Sequence, residues 1–367
     1  VLLPAVGVDV PMLDVGGRPV VEAVLGGATL HLLLDTGSGA DLILVPRAAR
    51  EASVDGRARR SPGDGLAIGA AVVDAVELSV FDVFGGMPLV GDFGEVDGIV
   101  GVSCFEDCLL VLDFANDRVL LREGTLAADL SAVVALRRDP GLGGVPLVPL
   151  RVGATEIEAH LDTGSPDVLL VPTDVESRLA LEDERVRVGT ATTPMGSADI
   201  FVARLDGDLE LGPLRIDAPW VRVADLPQIA GRGIGNVGSG ALAGSRVTID
   251  LASSRLAIES LFPVDVAATA PRPRVQRVEA SGRHRVGLAV ARSGEGPLRI
   301  AEVAAGGAGD EAGLRPGDLV VAARRTDGTE VPIEELGRAF GESAALLLTV
   351  ERDGVTLSVR LVPRPVE

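Results

Sequence analysis

Two aspartates in this chain stand in the same local sequence. Asp35 lies in HLLLDTGSG (His31–Gly39) and Asp162 in AHLDTGSP (Ala159–Pro166), each followed by Thr-Gly-Ser. One Asp-Thr-Gly alone is ordinary turn composition at a strand end. Two copies that meet would be a pair of carboxylates, and that pair has a chemistry of its own. Like charges in contact cannot both ionise, so the pair keeps one proton between its members over a wide pH range. The ionised member can take a proton from water while the protonated member gives one to a carbonyl oxygen. The pKa values of such a pair belong to the pair and not to either residue.

Other chemistries find little support. The chain has no Lys, which excludes Schiff-base mechanisms. His31, His160 and His284 have no Ser or Cys at a telling spacing, and they read as structural. Cys104 and Cys108 make neither a disulfide framework nor a zinc site, and they read as buried thiols. No metal and no cofactor is expected.

The elements that position the aspartates repeat. GGATLHLLLDTGSGADLILV (Gly26–Val45) aligns without gaps on GATEIEAHLDTGSPDVLLVP (Gly153–Pro172), 127 positions later. LAIGAAVVDAVELSV, from Leu66, then matches LELGPLRIDAPWVRV, from Leu209. DGIVGVSCFEDCLLVLDFANDRVLL, from Asp97, matches IGNVGSGALAGSRVTIDLASSRLAI, from Ile234. Three blocks recurring in one order mean a duplicated unit. Alternation before each Asp predicts a strand entered through a glycine turn. The Ile99–Gly101 and Asn236–Gly238 pieces read as strands that cross near the Asp loops. A short helix over FEDCLL and a last strand with Asp113 or Asp250 complete the unit.

On these motifs the chain resembles the aspartic proteases, in the compact retropepsin-like bacterial form with both lobes in one polypeptide. The resemblance covers roughly Val20 to Ser260. It implies a mainly β, two-lobed acid-protease barrel fold with pseudo-twofold symmetry, and catalysis by Asp35 and Asp162 on polypeptide substrates. It further implies that Thr36 and Thr163 tie the loops across the axis and that Gly37 and Gly164 offer N–H groups to the carboxylates. Ser38 and Ser165 would hydrogen-bond the outer carboxylate oxygens, with plain turn-capping as the alternative. Asn236 departs from the family's apolar pattern, which lobe 1 keeps at Ile99.

Such enzymes close a hairpin over the substrate. From Asp162 to Leu209 there are 47 positions, against 31 from Asp35 to Leu66, a surplus of 16 in lobe 2. Arg185–Leu205 reads as two strands around a tip of Thr192, Thr193, Pro194, Met195 and Gly196, whereas lobe 1 has only polar GRARRSPGDG there. A single flap supplied by lobe 2 is expected. The tyrosine of the pepsin-like flap has no counterpart, because the chain has none. Trp220 is expected in the core.

Composition bounds the rest. At 367 residues, 47% hydrophobic but only 2% aromatic, the cores must be built from Val, Leu, Ala and Ile. A net charge of −19 argues against nucleic acid as a partner. From Arg272 onward, 14 Arg balance 14 Asp plus Glu, so the negative charge lies entirely before it. No apolar run reaches membrane-span length. Beyond the linker, Val286–Val290 and AGLRPGDLV (Ala312–Val320) resemble a PDZ domain of the bacterial envelope-protease type. That resemblance implies a β-sandwich with helices, Pro332–Phe340 forming one of them. Gly287, Leu288, Ala289 and Val290 would hold a peptide C-terminus. The expected division is residues 1–130 and 140–262 for the two lobes, 263–283 for the linker and 284–367 for the PDZ-type domain. A monomer of the bacterial cell envelope is expected, although no export signal is visible. A peptide-binding protein on the same lobes, without catalysis, is the alternative.

Overall fold

A computed structural model describes the chain except residues 55–57, 60–64, 75, 85–88, 128–131, 194–195, 265–274, 277–283, 287, 293–297, 304–306, 333–335, 341–343, 353–354 and 366–367. It divides into two compact units, Val1–Ala270 and Pro271–Glu367. The fold is mainly β, and the repeat seen in the sequence is a repeat in space.

In the first half, strand Ala28–Asp35 pairs antiparallel with Pro19–Leu25 through the two-residue turn Gly26-Gly27. Both glycines have positive φ (56° and 83°), the geometry that joins strands without splaying them. Leu30, Leu32 and Leu34 alternate onto one fully buried face. The other face carries His31, Leu33 and finally Asp35. Along its far edge runs the parallel strand Gly98–Gly101, in a register that sets Gly101 beside Asp35. The second half repeats this with strands Val145–Val152, Thr155–Asp162 and Ile234–Gly238, where Gly238 lies beside Asp162. From strand Glu77–Val80 across to Ala71–Val73, the order in the first sheet is reproduced in the second.

The two halves meet in a six-stranded sheet with three strands from each. Its central pair, Leu109–Asp113 and Ser245–Asp250, is antiparallel with Val111 opposite Thr248, as a pseudo-twofold axis requires. Arg246 closes it by donating twice to Asp113 Oδ2, at 2.9 and 2.7 Å. One apolar cluster, including Leu34, Val100, Leu161 and Val237, runs continuously through both halves.

Two local expectations need correction. FEDCLL is not a helix: a 3-10 turn covers Val102–Phe105, and Leu109 and Leu110 already belong to the central sheet. The sheet register claims them because Leu110 and Leu112 alternate into the core. Trp220 is half-buried in the strand Trp220–Val223 and is not part of the core. Cys104 and Cys108 are free and buried as expected. Burial raises both thiols, Cys108 to about 11, so neither is a thiolate at neutral pH.

The second unit holds a six-stranded sheet in the order Val275–Gln276, Leu288–Arg292, Leu298–Val303, Leu319–Arg325, Leu346–Arg352 and Val355–Leu361. Helices Ala308–Glu311 and Leu336–Phe340 accompany it; of the helix expected over Pro332–Phe340, residues 333–335 lie outside the described residues. Its own apolar core includes Ile300, Phe340 and Leu348. Buried Asp318 is held by Arg352 at 2.6 and 2.7 Å, and these hydrogen bonds outweigh burial and hold its carboxyl low.

Candidate active site

Thr36 and Thr163 join the two aspartate loops, and both are fully buried. The Thr36 hydroxyl donates to Leu161 O at 2.6 Å and accepts from Thr163 N–H at 3.0 Å. The Thr163 hydroxyl does the same in mirror image, to Leu34 O at 2.6 Å and from Thr36 N–H at 3.1 Å. Four buried hydrogen bonds thus lock one loop onto the other, and losing any of them leaves a buried polar group unpaired.

That lock brings the carboxylates face to face. A Cβ built on Gly37 would lie 2.5 Å from Asp162 Cγ, and one on Gly164 would lie 2.5 Å from Asp35 Cγ. Each glycine is therefore required by the carboxylate of the opposite loop. Gly101 and Gly238 follow the same logic behind the loops. A Cβ there would stand 1.9 Å from Ala40 O or 2.4 Å from Asp167 O.

Burial raises the Asp35 carboxyl well above the usual range. The charge of Asp162 and a hydrogen bond between the two side chains raise it further, against N–H bonds from Gly37 and Gly164 that lower it. The Gly37 N–H reaches Asp35 Oδ1 at 2.8 Å. Asp162 is held differently: Oδ1 accepts from Ser165 N–H at 3.1 Å, and Oδ2 from the Asn236 side chain at 2.7 Å. In lobe 1 the corresponding position is Ile99, which cannot donate. Asn236 was visible in the sequence only as an exception to an apolar pattern.

The serine hydroxyls serve the turns. Ser38 Oγ accepts from Ala40 N–H at 3.4 Å and Ser165 Oγ from Asp167 N–H at 3.5 Å. The expectation that they bond the outer carboxylate oxygens is corrected: on Asp162, Ser165 acts through its main chain, and Asn236 supplies the side-chain donor. Arg18, which no motif singles out, sits in a lobe 1 turn and donates through Nε to Gly164 O at 2.9 Å.

His160 is two residues before Asp162 on the same face. Its Nε2 pairs with Asp139 Oδ2 at 2.8 Å, and both side chains are buried. Arg232 reaches the same oxygen at 2.6 Å and Gly141 N–H the other at 3.0 Å. Burial pushes the Asp139 carboxyl up, but these hydrogen bonds outweigh it and hold it below its usual range. His31 stacks on Phe93 at 4.5 Å in lobe 1. Among the described residues no group of three or more His, Cys, Asp or Glu could hold a metal ion.

The lobe 2 hairpin consists of Val186–Thr193 and Gly196–Arg204, closed by Thr193 opposite Gly196. Thr192, Thr193 and Gly196 lie in these strands, while Pro194 and Met195 fall outside the described residues. At the matching sheet edge, lobe 1 has the two-residue strand Ala58–Arg59. In the second unit Leu288, Ala289 and Val290 open the strand Leu288–Arg292, and Gly287 lies outside the described residues. No helix among the described residues is long and apolar enough to cross a membrane.

No protein-family model matches this chain, and no curated protein matches it in sequence. Among solved structures it is similar to an aspartic proteinase from Irpex lacteus. That match has a TM-score of 0.44 and 15% identity, over 72% of this chain and 100% of that one.

Proposed function

We propose that the chain is an aspartic endopeptidase of the compact, retropepsin-like bacterial kind, with Asp35 and Asp162 as its catalytic dyad. One observation carries this reading: two carboxylates on duplicated loops face each other, each packed on the other's glycine. Asp35, held protonated by burial and by its neighbour, donates to the scissile carbonyl oxygen. Ionised Asp162 takes a proton from the attacking water. The resulting tetrahedral diol collapses as Asp162 passes the proton it took to the leaving amine nitrogen and a diol hydroxyl returns one to Asp35. The lobe 2 hairpin then serves as the flap that excludes water. Polypeptides are the substrates, no cofactor is needed, and the protein works as a monomer in the bacterial cell envelope.

The second unit is read as a PDZ domain, with lobes at 1–130 and 140–262, a linker at 263–283 and the PDZ domain at 284–367. Its peptide would add to the edge of Leu288–Arg292 near Gly287. Val275–Gln276 pairs with Ala291 and Val290. A peptide joining that edge has to displace this short strand.

The test is cleavage of a mixed peptide library by the wild type, Asp35→Asn and Asp162→Asn, with and without pepstatin. Each variant should lose roughly 10³-fold or more in turnover while keeping its circular dichroism spectrum. Substantial cleavage by either one rules out the dyad.

A further inference from the structure

Main-chain N–H groups serve both aspartates, those of Gly37 and Gly164 on Asp35 and that of Ser165 on Asp162, and a side-chain amide distinguishes Asp162. Asp35 Oδ1 takes the Gly37 N–H at 2.8 Å, and Asp162 Oδ1 takes the Ser165 N–H at 3.1 Å. Only on Asp162 does a side-chain amide add a donor, from Asn236 to Oδ2 at 2.7 Å. Asn236 stands on strand Ile234–Gly238 opposite His160, as Ile99 stands on Gly98–Gly101 opposite Leu33. The two positions are equivalent under the pseudo-twofold axis, so the difference between an amide and an aliphatic side chain is a direct asymmetry of the pair.

A hydrogen bond to an ionised oxygen is roughly twice as strong as one between neutral groups. A donor fixed on Asp162 Oδ2 therefore favours the microstate in which Asp162 is the anion. From this we infer that Asn236 is a positioning residue that fixes the ionised, water-activating role on Asp162 and leaves the shared proton on Asp35. The inference rests on the protease reading for its consequence in catalysis, but the proton's location can be measured without any substrate.

Other charged groups surround the pair and stay constant in the test. His160 lies along the same strand with Asp139 and Arg232 behind it. Arg18 reaches Gly164 O, and Asp167 after the loop pairs with Arg222. The substitutions below leave all of these in place.

The experiment uses the full chain in four forms: wild type, Asn236→Ile, Asn236→Gln and Ile99→Asn. Carboxyl-labelled aspartate is followed by 13C NMR against pH, with the dyad resonances assigned from Asp35→Asn and Asp162→Asn. Asn236→Ile gives lobe 2 the side chain of lobe 1. It should raise the pH at which the pair loses its first proton by about one unit. The acid limb of kcat/KM should move with it. Asn236→Gln, which keeps an amide, should return the midpoint toward wild type. Ile99→Asn adds a donor beside Asp35 and should lower the pH at which the second proton leaves, so the inference remains testable if Asn236→Ile fails to fold. A folded Asn236→Ile variant with an unmoved midpoint overturns the inference, as does an unmoved second midpoint in folded Ile99→Asn. A wild type that cleaves nothing but shows the expected midpoints sinks the protease reading and leaves the role of Asn236 standing.

Discussion

Lobe 1 and lobe 2 share their strand order and their aspartate loops, yet behind the aspartate they are built from opposite chemistry. Behind Asp35 lie Val15, Leu33 and Ile99, in an apolar cluster with Val20, Ile43 and Val96. The same places behind Asp162 hold Asp139 and His160, joined to Arg232, and Asn236, joined to Asp162 itself. The lobes differ again at the sheet edge, where one has the hairpin Val186–Arg204 and the other, among the described residues, the strand Ala58–Arg59. What is common, the Thr lock and the glycine approaches, is what a twofold meeting of two loops demands. What differs lies where two identical carboxylates would have to take different roles.

The glycine approach is the shared feature whose loss should cost most. Gly37→Ala and Gly164→Ala each drive a methyl group to 2.5 Å from the opposing carboxyl carbon, which forces the aspartates apart. Displacements near 1 Å cost about 10²-fold in rate, and each variant should lose at least that in kcat/KM. The symmetry predicts nearly equal losses. A large inequality in the measured kinetics would mean that the two carboxylates are not positioned as a pair.

The hairpin tests the difference between the lobes. Replacing residues 190–197 by a tight turn should lower peptide turnover by roughly tenfold, about 1.4 kcal/mol of transition-state stabilisation, without unfolding the lobes. Peptide kinetics together with the unfolding midpoint check this. Unchanged turnover in a folded variant would make the hairpin a surface feature.

The threonine lock is a matter of stability. Thr36→Val removes the donor to Leu161 O and the acceptor for Thr163 N–H in a fully buried site. Thr163→Val does the same in mirror image. Stranding such groups costs about 1–3 kcal/mol, and urea unfolding should find similar losses for the two variants.

Much of this was legible because the repeat is written in full. A gap-free alignment is enough to pair Asp35 with Asp162 and Thr36 with Thr163, and the crossing hydrogen bonds follow. The helix over FEDCLL was misread because Leu109 and Leu110 fit either period, and only pairing with lobe 2 decides for strand. The serine roles were misassigned because a hydroxyl after Gly can serve a turn or a carboxylate equally well. Arg18 and Asp139 left no signal, since each acts on residues 146 and 21 positions away that only the folded sheets bring near. Asn236 did leave one, as the polar residue in an apolar place.

The smallest expected effect separates the two backings by pH. Asp139 in lobe 2 is ionised, buried and held by His160, Arg232 and Gly141 N–H, so its carboxyl titrates below its unfolded value. A lowered carboxyl contributes stability that is fully present above the unfolded pKa of about 3.9 and is lost as pH falls through the folded value. Asp139→Asn removes that contribution and should cost about 1–2 kcal/mol at pH 7 in urea unfolding. The deficit should shrink as pH drops below about 4, because the wild type then loses the same charge. Lobe 1 has Val15 at the corresponding place and no such dependence is expected from it; Val15→Ala should lower stability by an amount that pH does not change. If the Asp139→Asn deficit is also independent of pH, the ion cluster behind Asp162 acts by packing alone, and the polar backing of lobe 2 has no electrostatic part in its stability.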